Sequence, residues 1–223
     1  MKIKSESDLK LKEYLIKNLP LYIQSREVTC SAAISLTVLN YYFGNKFPLN
    51  NKTENKIFKK IKFKKYEYGS FCKVANLFAT CGLDTKIVFY GPNLNHPLFQ
   101  SVMFKELLEE YQFDLKKLSR GKKVEIINKN FNIFDIMSDI LEGYLVVAEI
   151  KYPNEELTHT ILLRGFRGRK IYYIDPLIKN GGRSCYYREL ENLINLKTLK
   201  NYIAVRRFPS AHQSARHVSF SAG

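Results

Sequence analysis

The chain has 223 residues, 45% hydrophobic and 26% charged, enough for one sizeable domain and too long for a disulfide miniprotein. No run approaches the roughly 18 apolar residues of a membrane-spanning helix, and the charged opening Met1-Lys2-Ile3-Lys4-Ser5-Glu6 lacks the apolar core of a secretory signal, so a cytoplasmic protein is expected. Thirty-six Lys and Arg against 21 Asp and Glu give a net +15, which would concentrate an acidic partner or a polyanion around the protein.

In chain order, Leu9, Leu11, Leu15 and Ile16 have near-helical spacing, with Asp8 as a cap and Pro20 as a stop, and predict a helix over Asp8 to Asn18. Thr29 to Phe43 is apolar on most faces and is followed by Gly44, as a buried central helix with Cys30 at its start would be. Lys46 to Lys65 carries Lys at eight positions, interrupted by Ile57, Phe58, Ile61 and Phe63, and reads as a helix with a solvated basic face. Phe71 to Cys81 predicts a short helix ending at Gly82, and Lys86 to Tyr90 a strand. Pro97 to Tyr111 and Phe131 to Leu141 look helical, the second capped by Asn130. Tyr144 to Ile150, His159 to Phe166, Lys170 to Ile174 and Tyr202 to Arg206 are strand-like, and Gly165 to Arg169 should turn the middle two into an antiparallel hairpin. Helices followed by strands give an α+β fold in one domain, residues 1–208, with 209–223 a disordered or appended tail.

Cys30, Cys72, Cys81 and Cys185 are neither dense nor closely spaced, so no disulfide framework, metal site or cofactor is expected. Of four histidines, His212 and His217 lie in the tail, which leaves His96 and His159 for chemistry in the core. A thiol at a helix N-terminus meets partial positive charge and unpaired N–H groups that favour thiolate, and Cys30 has that position. His159 follows the acidic, turn-like Asn154-Glu155-Glu156 and opens an apolar strand. If the chain reverses at Gly165 to Arg169, Asp175 returns beside His159 and can accept its ring N–H, fixing the tautomer. Gln24, six residues before Cys30, could offer its amide with the Cys30 backbone N–H as a two-donor oxyanion hole.

At these residues the chain resembles papain-like cysteine peptidases of the bacteriocin-leader, or double-glycine, peptidase family and their stand-alone relatives. In that family a Gln precedes the nucleophilic Cys by six, the Cys opens a long helix, and a His-apolar strand and an apolar-Asp-Pro segment follow. Here they are matched by Gln24, Cys30 with Ser31-Ala32-Ala33, His159-Thr160-Ile161-Leu162 and Tyr173-Ile174-Asp175-Pro176. Gly69-Ser70-Phe71-Cys72 and Gly181-Gly182-Arg183 are also similar to the stand-alone relatives. Ser31 stands where the family usually has Gly, and the transporter segments of the larger members are not among these residues, which removes the reason to expect a double-glycine leader as substrate. The resemblance implies a papain-like fold, in which an N-terminal helical part with the catalytic helix packs on a C-terminal antiparallel sheet. It also implies a peptidase or amidase that works through a Cys30–His159–Asp175 triad and a thioester on a peptide or amide substrate, an acidic one being favoured by the charge. The alternatives are an acyltransferase with an amine acceptor and a non-catalytic peptide-binding domain of the same fold. A nucleic-acid module built on Lys46 to Lys65 is disfavoured, because no zinc, RNP or helix-turn-helix pattern accompanies the lysines.

Overall fold

The computed structural model describes residues 3, 5, 8, 13–91, 101–121, 123–153, 158–179, 181–197 and 199–208. His96, Asn154-Glu155-Glu156, the start of the Pro97 to Tyr111 segment and the 209–223 tail lie outside the described residues.

An apolar helix with no polar stripe has nowhere to go but the interior. Helix α1 (Cys30–Phe43) is buried continuously from Ser31 to Leu39 and ends at Gly44, whose φ of +59° lets its N–H return to the Asn40 carbonyl. Helix α2 (Asn51–Ile61) is capped by Asn50, which accepts from Thr53 N, and turns Ile57, Phe58 and Ile61 inward while Lys52, Lys56, Lys59 and Lys60 stay exposed. Helix α3 (Phe71–Thr80) starts at the Ser70 cap and buries Phe71, Cys72, Val74, Ala75 and Phe78. Strand β2 (Leu83–Tyr90), helix α4 (Val102–Gly121) and strand β3 (Glu125–Asn128) follow. Helix α5 (Ile133–Leu141) is capped by Asn132 in a capping box with Asp135, two residues after the expected Asn130.

The remaining strands are β4 (Leu145–Ile150), β5 (His159–Arg167), β6 (Lys170–Ile174), β7 (Gly182–Tyr186) and, after helix α6 (Tyr187–Asn195), β8 (Lys200–Arg207). The sheet runs β3-β2-β8-β4-β5-β6-β7, antiparallel throughout except for the parallel β2–β3 pair. Alternation along the strands separates two cores. Leu145, Val147, Leu162, Ile174, Ile203 and Val205 face α1, α2 and α3, whereas Val146, Ala148, Ile161, Leu163 and Ala204 face α5 and α6. The sheet is therefore sandwiched between two helical layers, and it recruits β2 and β3 from among the helices in sequence. No helix among the described residues is long and apolar enough to cross a membrane.

The expected hairpin forms, with its turn at the end of the Gly165 to Arg169 segment. Arg167 pairs with Lys170, so Gly168 and Arg169 make the two-residue turn, with Gly168 at φ +53° in the first central position. Gly165 has a different use. The first strand, β1 (Glu13–Leu15), lies antiparallel on β5 with Leu15 opposite Gly165, and a Cβ at Gly165 would stand 2.0 Å from the Tyr14 carbonyl oxygen. The helix expected over Asp8 to Asn18 is thus replaced over Glu13–Leu15 by a strand, because pairing with β5 satisfies backbone groups that a short exposed helix would leave to water.

A second close approach positions the start of α1. Gly69 lies directly against Ser31, and a Cβ there would meet Ser31 Oγ at 1.9 Å and Ser31 Cβ at 2.8 Å. Ser31 at this position is accommodated because the facing residue has no side chain. The φ of Gly69 lies outside the left-handed region, so alanine would be resisted by the contact alone. Gly69→Ala is expected to destabilise the fold by about 1–3 kcal/mol through overpacking, and Ser31→Gly in the same chain to restore most of it. A thermal-denaturation cycle over the four proteins checks this; an unchanged penalty in the Ser31→Gly background would show that some other contact demands the glycine.

Candidate active site

The loop before α1 is fastened on two sides. Gln24 N donates to the Pro176 carbonyl at 2.9 Å, tying the loop to the segment after β6. The Ser25 N–H lies 3.1 Å from both carboxylate oxygens of Glu54, and the Tyr22 hydroxyl is 2.9 Å from Glu54 Oε2. Glu54 is fully buried on the inner face of α2, where a carboxylate is tolerated only with such donors. It was not singled out in the sequence, although one acid on the apolar stripe of a lysine helix was a signal to follow.

The loop then turns into α1. Thr29 directs its hydroxyl back to the Arg26 carbonyl at 2.8 Å and does not cap the helix, and the first turn carries no acid. The N–H groups at the start of α1 therefore keep their partial positive charge for whatever lies in front of Cys30. Cys30 is half-buried.

His159 begins β5 and Asp175 follows the last residue of β6, and the hairpin brings them together as the spacing suggested. Nε2 of His159 is 2.8 Å from Asp175 Oδ1, with both residues buried. An ionised carboxylate only accepts, so Nε2 carries the proton and Nδ1 is the ring nitrogen left for Cys30. Leu177 N donates to the same Asp175 oxygen at 3.0 Å, and the Tyr152 ring stacks 6.4 Å from the imidazole, centroid to centroid.

The electrostatics follow from these contacts. Burial pulls the His159 pKa down, but the bonds to Asp175 and Cys30 outweigh it and raise the imidazole to about 9. Burial would raise Asp175, yet the His159 bond and the Leu177 N–H hold it below the usual carboxylate range. The other three thiols lack an imidazole: burial pushes Cys72 and Cys81 up, and Cys185 to about 11. His159 and Asp175 are thus joined by a hydrogen bond, and Cys30 interacts with the same imidazole strongly enough to help raise it.

Gln24 lies in the loop as expected, 9% exposed, but its amide is turned inward. Nε2 donates to the carbonyls of Arg26 at 2.7 Å and Glu27 at 2.9 Å, which occupies both its hydrogens, while Oε1 is buried without a partner. Among the described residues no three His, Cys, Asp or Glu side chains converge as a metal site would require.

Three comparisons bear on this geometry. The model of the Peptidase_C39 like family matches residues 16–206. The peptidase domain of Streptococcus ComA, a bi-functional ABC transporter involved in a quorum sensing pathway, aligns at 12% identity and a TM-score of 0.49, covering 86% of this chain and 100% of that one. A Bacillus anthracis protein described as a C39-like peptidase aligns at 12% identity and a TM-score of 0.52, covering 88% of this chain and 98% of that one. No curated protein sequence matches.

The raised His159 has a consequence for stability. A group that binds its proton more tightly when folded contributes fully below its unfolded pKa, near 6.5, and loses that contribution as pH rises through about 9. The thermal midpoint of the wild-type protein is expected to fall between pH 6.5 and 9. In Asp175→Asn, whose imidazole has lost its carboxylate, the fall should be smaller. Equal falls in the two proteins would remove the pair as its source.

Proposed function

The chain belongs to the Peptidase_C39 like family, and from that footing we propose that it acts as a papain-like cysteine peptidase on a peptide or amide, with Cys30 as nucleophile, His159 as base and acid, and Asp175 orienting His159. The observation that carries this reading is the buried 2.8 Å bond from His159 Nε2 to Asp175 Oδ1, which leaves Nδ1 for the one thiol that opens a helix.

The chemistry follows from those roles. His159 takes the Cys30 proton and the thiolate attacks the substrate carbonyl carbon, moving the C=O electron pair onto oxygen. The new oxyanion meets the Cys30 backbone N–H and the N-terminal field of α1. When the C–N bond breaks, imidazolium gives its proton to the leaving amine and a thioester remains on Cys30. Water, deprotonated by His159, attacks the thioester, and collapse releases the acid and restores the thiol. An amine in place of that water would give acyl transfer.

Gln24 enters as a second oxyanion donor only when one of its hydrogens leaves the Arg26 or Glu27 carbonyl for the substrate oxygen. Because that exchange occurs as charge develops, its benefit falls on the chemical step. A peptide library read by mass spectrometry should yield new termini with the wild-type protein and none with Cys30→Ala. Gln24→Ala should fold and lower turnover on the order of 100 to 1,000-fold. A Gln24→Ala protein with near wild-type turnover and a lowered thermal midpoint would make Gln24 a loop brace, and cleavage by Cys30→Ala would end the cysteine-peptidase reading.

A further inference from the structure

The charge of the molecule is unevenly compensated. Beyond α2, Lys62 pairs with Glu67, Lys65 with Glu106 and Lys73 with Glu110. On α2 itself every exposed charge is a lysine: Lys52, Lys56, Lys59 and Lys60 recur at helical spacing on the face opposite Ile57, Phe58 and Ile61. No carboxylate pairs with these four among the described residues. The only acid of the helix, Glu54, faces inward and holds Ser25.

This stripe is connected to the catalytic loop. Arg26, between Gln24 and Cys30, lays its guanidinium over the Phe58 ring at 5.1 Å, so an exposed cation of the loop rests on α2 at the edge of its buried face. Arg26 and the four lysines of the outer face together make a basic track on the helix that holds the loop preceding the nucleophile. Glu27 is the one exposed acid adjacent to Arg26 in sequence.

We propose that this track recognises an acidic segment of the polypeptide substrate, lying outside the scissile bond; the inference rests on the peptidase reading. Four like charges held on one helix destabilise one another and gain from a partner that neutralises them, and steering of this kind chiefly raises the rate of encounter. Two features favour a peptide over nucleic acid. The aromatic residue of α2, Phe58, is buried, so the stripe offers no platform on which bases would stack, and the helix that carries it braces, through Glu54, a site whose chemistry acts on acyl groups.

The test compares the wild-type protein with K52Q/K56Q/K59Q/K60Q, which keeps helix-forming residues at exposed positions, using a proteome-derived peptide library and a fluorescent glutamate-rich peptide. Iodoacetamide labelling of Cys30 should proceed equally in both proteins, reporting an intact site. At low salt, peptides cleaved by the wild type should be enriched in Asp and Glu away from the cleaved bond, and the variant should lose this enrichment. Affinity for the glutamate-rich peptide should fall roughly tenfold in the variant and decline with salt in the wild type. Cleavage without acidic enrichment, or enrichment that survives in the variant, overturns the track and leaves the peptidase reading standing. Loss of oligonucleotide or anionic-vesicle binding in the variant, with its acidic preference in cleavage intact, also overturns it. A library left intact by both proteins counts against the peptidase reading itself, and unchanged binding of the glutamate-rich peptide would then overturn the track as well.

Discussion

The hydrogen bond between His159 and Asp175 is the constraint on which the rest of the site depends. A buried carboxylate is costly unless its oxygens are occupied, and here Oδ1 receives both the imidazole N–H and the Leu177 backbone N–H. That arrangement keeps the aspartate ionised, assigns the proton to Nε2 and turns Nδ1 toward Cys30. It requires β5 and β6 to be joined by a turn short enough to bring the end of one strand to the start of the other. The two residues Gly168 and Arg169 make that turn.

The thiol reaches the imidazole because the helical layer is docked just as firmly. Helix α1 is apolar over most of its length and is packed between α2, α3 and β5, so its start has little freedom to shift. The loop before it is held from α2 by Glu54 and from the β6 side by the Pro176 carbonyl, and Ser31 is admitted only where Gly69 faces it. Farther along the same core, buried Lys197 is paired with Glu149 and lies 2.8 Å from Asn201 Oδ1, so this charge too is compensated in the interior. The division of labour is structural: the sheet positions His159 and Asp175, and the helices deliver Cys30.

Much of this was legible in the residues. The all-round apolar character of Thr29 to Phe43 could only mean burial, and the 16-residue interval from His159 to Asp175 spans one hairpin. What escaped depended on contacts distant in sequence. The Asp8 to Asn18 segment has helical spacing, but a strand partner at Gly165 decides its state over Glu13–Leu15. Strand β7 is polar and mostly exposed, held by backbone pairing to β6, so it shows no alternation to read. Helix α6 did carry a signal in Tyr187, Leu190 and Ile194, which are its buried residues. Gln24 was found by its distance from Cys30, yet the direction of its amide depends on the carbonyls of Arg26 and Glu27, which spacing alone does not orient.

In the proposed reaction one thiol, activated by one imidazole, carries the acyl group. Acid quenching during peptide turnover, followed by intact-mass measurement and peptide mapping, tests it most directly. A hydroxylamine-sensitive acyl adduct on Cys30 that disappears in His159→Ala is expected. An adduct on Cys72, Cys81 or Cys185, or one on Cys30 that forms undiminished in His159→Ala, would contradict it.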